Sequence, residues 1–136
     1  MTGKHFINEE DFVTAFSKVI KKEDKVIVLY SGLWSFIFNI RFTNKSIPKK
    51  VLRIIEGVVG KDRTLLLPSF SSQEFINKKK FHVDKSIDNN GLLPAEALKS
   101  GKYYRTPQPL HSYLAFGKHV KEIKKLRLKT SWGKNS

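Results

Sequence analysis

Three short segments carry side chains whose type and spacing suit the binding of an anion or a carbonyl oxygen. Ser31-Gly32-Leu33 follows directly on the apolar run Val26–Tyr30. Small residues in a turn at the C-terminal end of a buried strand can aim backbone N–H groups at a ligand. The same segment also reads as an ordinary strand-to-loop turn. Pro68-Ser69-Phe70-Ser71 occupies the equivalent place after a second apolar run, Thr64–Leu67. The densest group is Arg105-Thr106-x-x-Pro109-x-x-Ser112, which sets a guanidinium and two hydroxyls within eight residues around two prolines. There Arg105 suits a phosphate or carboxylate, and Ser112 suits either a helix cap or a ligand. A plain helix cap beside a surface arginine is the alternative.

Other chemistries are poorly served. Cysteine is absent, which excludes disulfides, thiolate metal sites and a cysteine nucleophile. His111 and His119 are eight residues apart and share a face if one helix carries both, but no third ligand stands near them, so no metal site is expected. Neither a Ser-His-Asp arrangement, a Walker loop nor a dinucleotide fingerprint is present, and Gly57-Val58-Val59-Gly60 reads as a helix end.

The elements that must position the three segments follow from cap and periodicity signals. Asn8-Glu9-Glu10-Asp11 has the form of a helix start, and Phe12, Phe16 and Val19/Ile20 give that helix one apolar face. Val26–Tyr30 is a continuous, largely β-branched run, the pattern of a strand buried on both faces of a parallel sheet. Ser46-Ile47-Pro48 starts a second helix with Ser46 as cap, Val51, Leu52, Ile54, Ile55 and Val58 as buried stripe, and Gly60 as stop. Thr64–Leu67 is a second buried strand ended by Pro68, which completes a βαβ order. Residues 69–90 have no period, a length of irregular chain that in a compact domain usually serves function. A short helix over Ala95–Lys99 closes at Ser100-Gly101, Tyr103–Thr106 has the look of a short strand, and a last helix is expected from His111-Ser112 through Phe116, Val120, Ile123 and Leu126. The expected fold class is therefore α/β, a sheet with helices on both faces, in a chain of 136 residues that fits one domain or part of one.

Charge and hydropathy bound the function class. A hydrophobic share of 40% is enough to bury a core and excludes a disordered chain. No run approaches a membrane span and the N-terminus lacks a secretory apolar region, so a soluble cytoplasmic protein with no membrane partner is expected. Lys and Arg number 26 against 12 Asp and Glu, a net +14. From Lys118 to Ser136 there are seven cations against Glu122 alone, and Lys78-Lys79-Lys80 and Lys49-Lys50 are further clusters. Solvated lysine faces explain this most simply, with binding of a phosphorylated small molecule next. Nucleic acid ranks last, because no base-reading motif is legible and lysine far outnumbers arginine.

Read together, the segments resemble the aminoglycoside 3-N-acetyltransferase (antibiotic N-acetyltransferase) family. The family's apolar run followed by Ser-Ser-Leu-Arg-Ser-Phe is similar to Val26–Phe36, with Gly32 and Trp34 as departures. Its Gly-x-Asp-Gly-Thr-Leu-Leu-x-Pro-Thr-Phe is similar to Gly60–Phe70, and its Gly-Leu-Leu-Pro-Glu to Gly91–Glu96. Its Arg-Ser-x-His-Pro-x-x-Ser-x-Ala-Ala-x-Gly corresponds to Arg105–Gly117, with Gln108 in place of the family histidine. The four blocks stand in the family order and span residues 8 to 130 or so.

The resemblance implies an N-acetyltransferase that takes acetyl-coenzyme A as cosubstrate and acetylates an amino group of an aminoglycoside or related amino sugar. It implies that Ser31, Gly32, Leu33, Trp34, Ser35 and Ser69 line the cofactor, with Arg105 and Ser112 nearby as polar contacts. Family members are roughly twice this length, more than one 136-residue domain supplies. Their catalytic histidine and its glutamate partner lie in the half not represented, so residues 1–136 correspond to the N-terminal part of a single acetyltransferase domain. Truncation, frameshift or a split gene would each produce this, with a missing C-terminal half as a potential partner and little activity in the chain alone. No catalytic base is assigned; His111 is near, but its position is not the family's catalytic one. The alternatives are a surface-polysaccharide amino-sugar acetyltransferase remnant, a non-catalytic coenzyme-A-binding fragment and a basic nucleic-acid binder.

Overall fold

The computed structural model describes residues 6–35, 37–42, 46–86 and 90–126. Helix α1 (Glu9–Val19) begins at Asn8, whose side chain accepts from the Asp11 N–H at 3.0 Å while Asp11 Oδ2 accepts from the Asn8 N–H at 2.8 Å. This reciprocal cap satisfies two N–H groups that a helix start otherwise leaves unpaired. Strand β1 (Val26–Val28) leads through two short 3-10 turns, Leu33–Ser35 and Ile37–Asn39, into helix α2 (Ile47–Val59). Pro48 sits in the first turn of α2 as expected, but Ser46 makes no side-chain capping bond. The buried stripe of α2 is Val51, Leu52, Ile55 and Val59. It follows the 3.6-residue period to Val59 and leaves Val58 half-buried at its margin.

Strand β2 (Thr64–Pro68) pairs in parallel with β1, in register Val26 with Thr64 and Val28 with Leu66. The aperiodic stretch contains one short helix, α3 (Ser72–Ile76), and precedes α4 (Leu92–Ser100). Helix α4 starts earlier than the sequence indicates, with Pro94 inside its first turn, where a missing N–H costs nothing. Gly101 closes it with φ of 68°, the left-handed cap.

The C-terminal region corrects one expectation outright. The segment from His111 to Leu126 is not one helix; it is strand β4 (Tyr113–Gly117) followed by helix α5 (Val120–Lys125). Tyr113–Gly117 pairs antiparallel with β2 along all five residues, from Pro68 opposite Tyr113 to Thr64 opposite Gly117. Strand β3 (Tyr104–Arg105) adds on the far side of β4, so the order is β1-β2-β4-β3 in a mixed sheet. The apparent helical spacing of Phe116, Val120 and Ile123 straddles the Gly117 turn, and the pairing surface offered by β2 outweighs it. His111 and His119 consequently lie at opposite ends of β4 and share no face.

Side chains opposite one another across the sheet point to the same side. Leu65, Leu67 and Leu114 form the face against which α2 and α4 pack, with Ile55, Leu93 and Ala97 completing a dry core. Helix α5 lies on the other face, where Lys124 Nζ stands 5.2 Å from the Tyr104 ring centroid. Helices thus occupy both faces of an α/β sheet. The second face is only partly covered. Strand β1 is an edge strand rather than a strand buried on both sides, and Val26 and Val28 are 47% and 49% exposed. Among the described residues, no helix is long and apolar enough to cross a membrane.

Candidate functional site

Strand directions decide where the three polar segments meet. Because β1 and β2 are parallel, Ser31–Ser35 and Ser69 follow their C-terminal ends at one rim of the sheet. Strand β4 runs the other way, so its first residues and the preceding Ser112 lie at that same rim, as does the end of β3 at Arg105. The sheet therefore brings all three segments together. The Gly32 carbonyl opens a tight 3-10 turn over Leu33–Ser35, accepting from the Ser35 N–H at 3.0 Å. In that turn Leu33 is buried in the core, while Gly32, Trp34 and Ser35 are exposed. Phe36 lies outside the described residues.

Arg105 is neither a surface arginine nor an open ligand arm. It is 2% exposed, and its guanidinium donates to the carbonyls of Ser86 at 2.7 Å, Ser69 at 2.6 Å and Val83 at 3.3 Å, and to Ser71 Oγ at 2.8 Å. Its Cζ also stands 5.0 Å from the Phe81 ring centroid. The planar fork ties both ends of the aperiodic stretch to β3, a task that needs several donors in fixed directions. Ser112, fully buried, does not cap a helix; its Oγ donates to the same Ser69 carbonyl. The Ser69 N–H in turn donates to the Ser112 carbonyl at 2.9 Å, and the Ser71 N–H to the Pro109 carbonyl at 3.0 Å. Ser69 Oγ is buried and has no hydrogen-bond partner among the described residues. Arg105, Ser69 and Ser112 as placed hold the rim together from inside and do not face solvent.

Gln108, at the place of the family histidine, accepts from the His111 N–H at 2.6 Å through Oε1 and so closes the two-proline loop. Above the buried knot lies an aromatic shelf that the sequence reading did not single out. The hydroxyls of Tyr30 and Tyr113 are 2.8 Å apart, and Phe70 meets Tyr113 and His111 edge-on at 5.7 Å and 5.6 Å between centroids. Its sequence signal was weak: three rings and an imidazole from three separate segments converge only through the strand pairing.

The tyrosine pair has a measurable consequence. The hydrogen bond with Tyr30, and secondarily burial, push the Tyr113 hydroxyl from 10.0 up to about 12. A folded value above the unfolded one means the contribution is complete below pH 10 or so and is lost as pH rises toward 12. Tyr30→Phe is expected to move Tyr113 ionisation, followed by phenolate absorbance with Tyr113→Phe as blank, back toward the ordinary tyrosine value. An unmoved titration would show that the two hydroxyls do not meet in solution.

The fold has clear counterparts among solved structures. The apoenzyme of aminoglycoside acetyltransferase AAC(3)-IVa superposes with a TM-score of 0.72 at 15% identity, over 94% of this chain and 47% of that one. The YokD protein from Bacillus subtilis gives 0.68 at 21% identity, over 94% of this chain and 56% of that one. AAC-IIIb in a binary complex with CoASH gives 0.66 at 15% identity, over 88% and 49%. No family model and no curated protein matches the chain. The architecture is thus that of the aminoglycoside acetyltransferases, and the chain spans about half the length of the solved structures it matches.

Proposed function

We propose that these residues form the N-terminal part of an acetyl-coenzyme-A-dependent N-acetyltransferase domain acting on an amino group of an aminoglycoside or related amino sugar. The observation that carries this reading is the convergence of Ser31–Ser35, Ser69 and Arg105–Ser112 at one rim of a sheet that superposes on acetyltransferase structures over nearly its whole length. Bound acetyl-coenzyme A supplies a thioester-activated acetyl group to an amine. Gly32, Trp34 and Ser35 are exposed at the rim and suit direct contact with such a carrier. Leu33, Ser69, Arg105 and Ser112 are buried and act as positioning residues that hold this rim in shape. An amine must lose a proton to attack, so a general base is required, and none is assigned within these residues. The open face of β1 and the half-length match both favour a requirement for further polypeptide to complete the catalytic domain.

The test is a titration of the isolated chain with coenzyme A, followed by tryptophan emission and calorimetry, beside an assay for thiol release from acetyl-coenzyme A with an aminoglycoside present. Binding without turnover is expected. Gly32→Asp, whose Cβ would meet only Ser35 Oγ at an ordinary 3.6 Å, should leave the fold intact. Next to carrier phosphates its new carboxylate should weaken binding roughly tenfold, about 1.4 kcal/mol. Absence of binding would refute the cofactor reading; robust turnover by the chain alone would refute the half-domain reading.

A further inference from the structure

The opposite rim of the sheet carries a feature that lies outside the proposed cofactor rim. Gly60 and Lys61 precede β2, Gly117 ends antiparallel β4 and Lys118 follows it, and Lys102 precedes β3, so these residues gather at the end of the sheet away from Ser69 and Ser112. Between them and the outer side of α2 lies an open groove of about 910 Å³, floored in part by Phe116. A second hollow of about 510 Å³, between α2 and the end of α4, shares Arg53, Glu56 and Lys102 with the first. The two together are lined by Lys49, Arg53, Lys61, Lys99, Lys102 and Lys118, all exposed.

Within the two hollows the carboxylates are Glu56 and Glu96, and Glu56 already accepts a hydrogen bond from the Tyr103 hydroxyl at 2.8 Å; outside them Lys118 borders a hollow with Glu23, Asp24 and Asp62, and Lys49 and Arg53 one with Glu9. Among the described residues none of the six is ion-paired with a carboxylate; Lys50, beside them, is the lysine that pairs with Glu9. Six cations against two carboxylates leave an excess of four positive charges in the hollows, which is electrostatically unfavourable for the folded chain and favours an anionic occupant. Gly57 and Gly60 keep the α2 side of the groove low, since a Cβ at either would meet nothing within 4 Å.

We propose that this groove binds single-stranded nucleic acid through its phosphate backbone. The cations run through two joined hollows, which suits a chain of phosphates better than one phosphate group. Five of the six are lysines, which act as point charges and lack the planar fork that reads base edges. Phe116 offers a ring in the groove, and a flexible strand can follow the bend that a stiff duplex would only touch.

The experiment is fluorescence anisotropy of the full 136-residue chain with a labelled oligothymidylate across a salt series. Affinity is expected to fall with salt by about 0.7 log units per decade for each phosphate contacted. The pair Arg53→Glu with Lys102→Glu should weaken binding at least roughly tenfold and flatten the slope by about 1.4. Gly57→Glu, which adds one carboxylate to the groove, should weaken it by a smaller factor. The pair Lys79→Glu with Lys80→Glu makes the same charge change outside the groove and should cost less than about threefold. Far-ultraviolet circular dichroism checks that each variant is folded. Equal losses from both pairs, or displacement of the oligonucleotide by pyrophosphate at equal phosphate concentration, would overturn the proposal; the coenzyme A titration above is unaffected by either result.

Discussion

Arg105→Ala is expected to destabilise the chain by on the order of 3 kcal/mol or more, shifting the urea midpoint by about 1 M or more. The loss is large because the guanidinium is buried and its removal takes this donor from the Val83 and Ser86 carbonyls and leaves the Ser69 carbonyl with Ser112 Oγ alone. Water cannot easily replace it, since Ser69, Ser71 and Ser86 are themselves buried. Arg105→Lys keeps the charge but not the fork, so most of the loss should persist. The damage should be local at first: limited proteolysis is expected to cut within residues 70–90, the stretch that Arg105 ties down, before the sheet opens. A variant as stable and as resistant as the parent chain would show that the clamp is incidental, and would remove the positioning role given to this residue above.

Gly117→Ala is expected to cost about 3 kcal/mol or more, and for the opposite reason: it adds an atom where no room exists. Gly117 has φ of +112°, and an added Cβ would stand 2.2 Å from the Arg63 carbonyl oxygen and 3.2 Å from the Thr64 Cα. Both obstacles are backbone of the neighbouring strand, which the β2–β4 register holds in place, so no side-chain rotation relieves the clash. The Arg63 carbonyl is also the acceptor for the Lys118 N–H at 3.0 Å, and separating the strands would stretch that bond. Gly57→Ala serves as the comparison. Its Cβ meets open space on a helix, and a gain of up to about 1 kcal/mol is expected. Urea denaturation of the two variants side by side measures the contrast; equal midpoints would mean that the close approach at Gly117 is absent in solution.

The two arginine and glycine positions also mark where sequence reasoning reaches and where it stops. Asn8 with Asp11, Pro48 in the first turn of α2, and Gly60 and Gly101 at helix ends are legible because caps act over three or four residues of contiguous chain. The β1–α2–β2 crossover is legible for a related reason: two apolar runs flanking an amphipathic helix bury their surface most simply as parallel neighbours. The split of His111–Leu126 into β4 and α5 is not legible, because a strand's partner lies some fifty residues away and local spacing favours a helix. The exposure of Val26 and Val28 is hidden too, since composition tells that a run is apolar but not which side of it the rest of the chain covers.

At the candidate site, residue types and order alone single out three polar turns and the cysteine-free, lysine-rich chemistry around them. Side-chain chemistry is a local property, so it survives in the linear text. Whether Arg105 meets a phosphate or three carbonyls depends on what the fold stacks above it, and only the tertiary structure buries it under the Val83–Ser86 segment. The same holds for the six cations around α2: scattered from Lys49 to Lys118 in the chain, they become one groove because antiparallel pairing returns β4 to the end where β2 begins. Sequence sets what each side chain can do; strand direction and burial, which arise from contacts far apart in the chain, decide which of them reach solvent together.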